Sequence, residues 1–386
     1  MLRRVVETTL LTAACAGCTE APAAHDAGTL GADAVSADRV IVADDAGPLP
    51  SAPLSWSVRA RGPFNVGYTS VSHSYTPPGA SAPRTLTLHL WYPTRALSGP
   101  RPTYRRLFRD PESIVDAPSE VPVYPDGYPV HVYSHGHQGF GPTSHFLMRY
   151  FASHGWVAVA PDHTGNTISD TPSTLPASIF HLRARDVSAS LDALRDGPLA
   201  ATLSGRANVS RVLLSGHSAG VHTVWTAGGA RFDPAAVEAR CMTNPCTALD
   251  RAQFAAGVGD ERVVAGLAMA GALRREWLGP TGHGGVRFAM FAMSGGDDPV
   301  GAEAQFESTA PMPMTWIDVR GGCHQYFALG GCENIADTEQ APIVGAYALA
   351  YARRMVLNDT DPTVGAILEG ASMLSDRVTF RRRVSP

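Results

Sequence analysis

Between about residue 128 and residue 355 the chain alternates short, continuously apolar segments with helical patterns, and this alternation constrains the fold more than any other feature. YPVHVYS (128–134), WVAVAP (156–161), SRVLLSG (210–216), VVAGLAMA (263–270), VRFAMFAMSG (286–295) and MTWIDVRG (314–321) each hold a strand-length apolar core bounded by turn-forming residues. Runs without polar alternation are expected of strands covered on both faces, hence of a largely parallel sheet. RTLTLHLWYP (84–93) does alternate, which suits a strand nearer the sheet edge. Helices are expected over 144–155, 177–196 and 341–357, the first closed by Gly155. The pattern specifies an α/β protein with a mostly parallel, doubly wound sheet and helices on both faces. Two stretches, 93–127 and about 229–262, interrupt it. Such insertions are expected over the carboxyl ends of the strands, the second as a small cap.

Composition narrows the chemistry. The 386 residues are 44% apolar and 17% charged, enough for a large core. All 31 basic residues are arginine, so no lysine can serve as a Schiff-base amine, a P-loop cation or a catalytic base. The net charge of −4 and the lack of a long basic run argue against nucleic-acid binding.

Residues 1–18 read as an export signal: Arg3 and Arg4, a short apolar stretch interrupted by Glu7, then small residues leading to Cys15 and Cys18. The segment resembles a bacterial lipoprotein signal, with Cys18 or Cys15 as lipidation candidates, although Thr12 stands three residues before Cys15 where an aliphatic residue is expected. Any membrane association would then run through an acyl chain. Residues 19–50, rich in Ala, Asp, Gly and Pro, read as a tether, which leaves 51–386 as the folded domain. The expected compartment is periplasmic, outer-membrane-anchored or secreted. The four remaining cysteines fall into two close pairs, Cys241 with Cys246 and Cys323 with Cys332, expected as local disulfides. Their spacing does not fit zinc knuckles.

Gly216-His217-Ser218-Ala219-Gly220 follows an apolar strand and precedes a helical pattern. Small residues two before and two after a serine permit the sharp strand-to-helix turn of a nucleophile elbow. A helix starting there also points its amides at an oxyanion developing on an acyl group. A serine hydroxyl needs a base, and the base a carboxylate to orient it. On this arrangement both follow the serine in the chain. Of His222, His283 and His324, the last is favoured, because it follows the final parallel strand. The acid is expected at Asp298, directly after the preceding strand, with Asp297 as the alternative and the unused aspartate capping the turn.

The second oxyanion amide is expected at His137, in the turn after the strand ending at Ser134, beside that of Ala219. Four histidines lie between His131 and His145, but no carboxylate accompanies them, and neither a metal nor a cofactor is expected. Trp277 and the 229–262 insertion are the guesses for substrate contacts.

Together the runs SHGHQG, LMRYFASHGWVAVAPDHTGNT, GHSAG, VRGGCHQYF and AYALAYARRMVL, preceded by GPFNVGYTSV and RTLTLHLWYPT, resemble the platelet-activating-factor acetylhydrolase and dienelactone-hydrolase-like branch of the α/β-hydrolases over about residues 61–360. The resemblance implies a Ser-His-Asp triad at Ser218, His324 and Asp298, an oxyanion hole at His137 and Ala219, and ester substrates. One departure bears on the substrate. In the acetylhydrolase the acid follows the strand after the nucleophile, where this chain has Ala270; the chain agrees better with bacterial members whose acid comes one strand later.

The expected activity is therefore a serine carboxylic-ester hydrolase acting through an acyl-enzyme on a small-molecule, lipid or polymer ester. An acyltransferase or peptidase on the same triad, or a non-catalytic surface binding protein, are the alternatives. Acyl-chain length and oligomeric state are not legible in the residues.

Overall fold

Strands form where the apolar runs fall. The computed structural model describes residues 40–42, 52–300 and 302–384; the expected signal with Cys15 and Cys18 lies outside them. Of the expected tether, the described part is paired: Ile41–Val42 runs antiparallel to Ala96–Ser98, and Val40 packs against Ala96, Ile114 and Ala117.

Ten strands make the central sheet: β1 Asn65–Tyr75, β2 Arg84–Thr94, β3 Ser113–Val115, β4 Tyr128–Ser134, β5 Val157–Pro161, β6 Ala207–His217, β7 Val263–Met269, β8 Met290–Gly295, β9 Met314–Val319 and β10 Val378–Arg383. Their order across the sheet is β10-β9-β8-β7-β6-β4-β5-β2-β1-β3. The run from β9 to β5 is wholly parallel, while β10, β2 and β1 pair antiparallel. Every residue of β4, β5 and β8 is buried, as continuous apolar sequence between two helical layers requires. The core accordingly has two large clusters, one on each face, besides the small one around Ala96, Ile114 and Ala117.

Helix α1 (His145–Ser153) and the helix Ala346–Val356 contribute to one cluster; α2 (Ile179–Arg195) and α3 (Gly220–Ala227) contribute to the other. The 229–262 insertion forms α4 (Pro234–Cys241) and α5 (Ala248–Ala256), the latter started by a capping box between Thr247 and Asp250. It lies against α2 and the segment before it: His181 pairs with Asp250 at 2.8 Å, and the Ala177 amide donates to the Pro245 carbonyl. The 93–127 stretch is anchored near the carboxyl ends of β4 and β5, where Arg105 pairs with Asp162 and Phe108 stacks on Phe140. Both cysteine pairs are disulfide-bonded, with Cα separations of 5.2 Å (Cys241–Cys246) and 5.5 Å (Cys323–Cys332). Two such bonds fit an oxidising environment. No helix among the described residues is long and apolar enough to cross a membrane.

Candidate active site

Ser218 sits where β6 turns into α3, with a left-handed φ of +55°. That turn explains its flanking glycines. A Cβ on Gly216 would come within 2.3 Å of the Gly220 carbonyl oxygen, and one on Gly220 within 2.0 Å of the Ser134 carbonyl oxygen. A left-handed non-glycine residue is strained, and the strain concentrates here on a hydroxyl-bearing residue that remains partly exposed. The backbone is pinned across to β7, the Ser218 amide donating to the Met269 carbonyl at 3.0 Å. Ala270, at the end of that strand, is fully buried, and next to it Gly271 lies so close to the Ser218 carbonyl that a Cβ would approach within 2.4 Å.

His324 and Asp298 arrive on loops after the neighbouring parallel strands β9 and β8. The His324 Nδ1–H donates to Asp298 Oδ2 at 3.0 Å, and the carboxylate is fully buried while the imidazole is partly exposed. Asp297 is engaged elsewhere, its Oδ2 accepting from the Asn334 side-chain amide at 2.7 Å. It does not cap the turn; Asp298 does so itself, through Oδ1 and the Val300 amide. His324 is joined to the serine's neighbour, because His217 Nε2–H donates to the His324 carbonyl oxygen at 2.9 Å. The Ser218 hydroxyl makes no hydrogen bond among the described residues, so the structure unites His324 with Asp298 and holds the serine free.

His137 and Ala219 face one cavity of about 280 Å³ at the carboxyl ends of the strands. Neither of their backbone amides donates a hydrogen bond among the described residues. Leu175, Ile179 and Phe180 supply the apolar wall, and Asn166, Arg183, His222 and Arg274 the polar one. No acid lines it. The Asn166 side-chain amide donates to His137 Nδ1 at 2.8 Å, which fixes the tautomer of that ring. Burial, then the charges of Arg183 and Arg274, lower the His137 pKa. A larger open groove of about 610 Å³ lies at the opposite, amino-terminal ends of β7 and β8, remote from Ser218. In open α/β sheets ligands bind at the carboxyl ends, which favours the smaller cavity.

Trp277 and the insertion do not line this cavity. Trp277 is fully buried and stacks behind Phe180, ring centroids 4.3 Å apart, and Phe254 of α5 stacks behind Trp277 at 5.2 Å. Both support the wall from behind. The remaining histidines are engaged separately: His131 bonds Ser215 at 2.6 Å inside the sheet, His145 bonds the Pro142 carbonyl, and His222, pushed down to about 3 by burial and then Arg274, bonds the Phe180 carbonyl. His283 lies in a single turn of helix ahead of β8.

A buried serine–histidine–carboxylate relay elsewhere was not foreseen from the residue pattern. The Ser134 hydroxyl donates to His163 Nε2 and His163 Nδ1–H to Asp186 Oδ2, each at 2.9 Å. All three side chains are fully buried. Burial opposes the charge on Asp186, but the Arg84 guanidinium overrides it and holds the carboxyl well below its usual range. With no exposed face the Ser134 hydroxyl cannot meet a substrate; it secures the turn that carries His137. The relay's members stand at positions 134, 163 and 186, too far apart in the chain for a local pattern to mark them.

No protein-family model matches the chain, and no curated protein matches its sequence.

Proposed function

We propose that this chain is an exported serine hydrolase of the α/β-hydrolase fold that cleaves carboxylic esters. The observation that carries the reading is the His324–Asp298 hydrogen bond, made by two loops at the carboxyl ends of adjacent strands, on the same edge of the sheet as the strained Ser218 elbow. An imidazole whose Nδ1–H is fixed on a carboxylate presents Nε2 as a base.

In this mechanism Nε2 of His324 takes the hydroxyl proton as Ser218 Oγ attacks the ester carbonyl carbon. The carbonyl oxygen becomes an oxyanion facing the amides of His137 and Ala219 and the amino end of α3. Collapse expels the alcohol, which receives the proton from His324, and leaves Ser218 acylated. Water, deprotonated by the same imidazole, then releases the acid and restores the serine. Asp298 accepts from Nδ1–H throughout and stabilises the imidazolium. The disulfides support export. The mixed wall of Leu175, Ile179 and Phe180 facing polar groups suits a short acyl or alcohol group more than a long chain.

The test is turnover of p-nitrophenyl esters of increasing acyl length beside the matching p-nitroanilides. Ester cleavage lost in Ser218→Ala, with anilides untouched, is the expected outcome. Anilide cleavage would make the chain a peptidase, acyl transfer to an added alcohol in preference to water would make it a transferase, and no turnover at all would leave a binding protein.

A further inference from the structure

Arg183 is 3% exposed, and among the described residues no carboxylate forms an ion pair with it. Its donors go to neutral acceptors: Nε to Thr223 Oγ1 at 3.1 Å, Nη1 to Asn166 Oδ1 at 2.6 Å, and Nη2 to Ser134 Oγ at 3.1 Å and to the His135 carbonyl. The nearest acid along α2, Asp186, is already held by two bonds from Arg84, at 2.7 and 2.8 Å, and by Tyr75 and His163. His163 is neutral, pushed down to about 4 by burial and then by Arg183, and His135 is lowered by the same two causes. Burial pulls Arg183 itself down to about 9, which leaves it charged at neutral pH. Arg84 therefore neutralises Asp186, no carboxylate among the described residues pairs with Arg183, and a net positive charge stands inside the fold.

An uncompensated buried charge is costly unless something else in the working cycle neutralises it. This one lines the same cavity as His137 and Ala219. It also holds the turn that carries His137 at two points: directly at the His135 carbonyl, and through Asn166 at the His137 ring. We propose that Arg183 is the positioning residue of the oxyanion hole, fixing the His135–His137 turn and supplying, from behind it, the positive charge that the oxyanion of the tetrahedral intermediate neutralises. The proposal rests on the reading of Ser218 as an acyl-transfer nucleophile.

Three variants of the full chain test it: Arg183→Met removes the charge, Arg183→Lys retains it without the fork, and Asn166→Asp leaves Arg183 in place but sets a carboxylate at Nη1. Each is measured for kcat and KM on p-nitrophenyl acetate, for inhibition by phenylboronic acid, whose serine adduct is a tetrahedral anion, and for thermal midpoint. Arg183→Met should lower kcat by about 100-fold, the scale of one lost oxyanion contact, with KM changed less than about threefold and boronate affinity falling with kcat/KM. Arg183→Lys should recover about a tenth or more of the lost boronate affinity. Asn166→Asp should keep or raise the thermal midpoint yet lower kcat at least about tenfold, a combination that a purely structural arginine does not produce. If Arg183→Met does not fold, the Asn166→Asp result decides. Wild-type turnover with unchanged kcat and boronate affinity in the folded variants overturns this proposal alone; absence of both turnover and boronate inhibition in the wild type overturns the hydrolase reading as well.

Discussion

His217 donates through Nε2 to the carbonyl oxygen of His324, and the two rings lie 4.7 Å apart, so the residue before Ser218 holds the loop of His324. Burial, then His324, pushes His217 down to about 3, so it remains a neutral donor at every working pH. His217→Phe keeps the bulk and removes the donor. A buried carbonyl left unpaired costs about 1–3 kcal/mol; this one is part-buried, at the low end, and about 1.4 kcal/mol expressed in the barrier is a tenfold loss. The expected result is kcat down about tenfold with little change in KM. Unchanged kcat would mean that the loop is held by other contacts.

The two adjacent aspartates should separate cleanly. Asp298→Asn leaves His324 facing an amide and a wrong tautomer, for which a loss of about 10⁴ in kcat is the expected scale. Asp297→Asn loses one partly exposed bond to Asn334 and should cost less than about threefold. Steady-state kinetics on one activated ester suffices, and comparable losses in both variants would contradict the assignment.

The parallel half of the sheet was legible because strands buried on both faces leave a plain trace of continuous apolar sequence. The strands at and near the edges did so less. VTFRRR of β10 carries three consecutive arginines, and what makes it a strand is tertiary: Arg381 lies over the rings of Phe306 and Trp316 while Asp318 and its neighbours pair with it along β9. Ser113–Val115 is a strand only because β1 offers it an edge. At the site, Ser218 was legible through the glycines that its turn demands. Asp298 and Asp297 were not separable by spacing, since only the three-dimensional turn decides which carboxylate faces the imidazole. Trp277 looked available beside the nucleophile's strand, but it is enclosed by Phe180 and Phe254, contacts that local sequence does not encode. The Arg183 network escaped for the same reason, its members being spread from Ser134 to Thr223.

The Cys323–Cys332 bond closes the loop that begins one residue before His324, and the Cys323 amide also donates to the Cys332 sulfur at 3.1 Å. Cys323→Ala/Cys332→Ala should therefore lower kcat several-fold as well as stability, by roughly 2–4 kcal/mol. The Cys241–Cys246 bond lies in the insertion behind the cavity wall, and its removal should lower stability with kcat little changed. Urea unfolding and ester kinetics on both double variants check the contrast; a larger kcat loss in the second would reverse it.

Stability should fall steeply in mild acid. His131, His217 and His222 are each pushed down to about 3 and His163 to about 4, burial being the first cause in all four. These folded-state values lie below the ordinary value near 6.5, so between about pH 6.5 and 3 the unfolded chain binds protons that the folded chain does not. The contribution is complete above about pH 6.5 and is lost as the pH falls through that value. Each histidine adds a slope of up to about 1.4 kcal/mol per pH unit, the four together up to roughly 5.5 kcal/mol per pH unit, against a usual stability of about 5–15 kcal/mol. The urea midpoint should be flat above pH 7 and drop sharply between pH 6.5 and 4.5. A midpoint constant over that interval would show these rings protonated in the fold.

The most direct measurement is labelling of the full chain with a fluorophosphonate, followed by peptide mapping of the adduct. Two serines carry a claim by geometry: Ser218 on its strained and accessible elbow, and Ser134 in its enclosed relay. The account predicts one adduct per chain, on the peptide containing Ser218, with labelling abolished in Ser218→Ala and reduced in Asp298→Asn. An adduct on Ser134, or no adduct on folded protein, would contradict it.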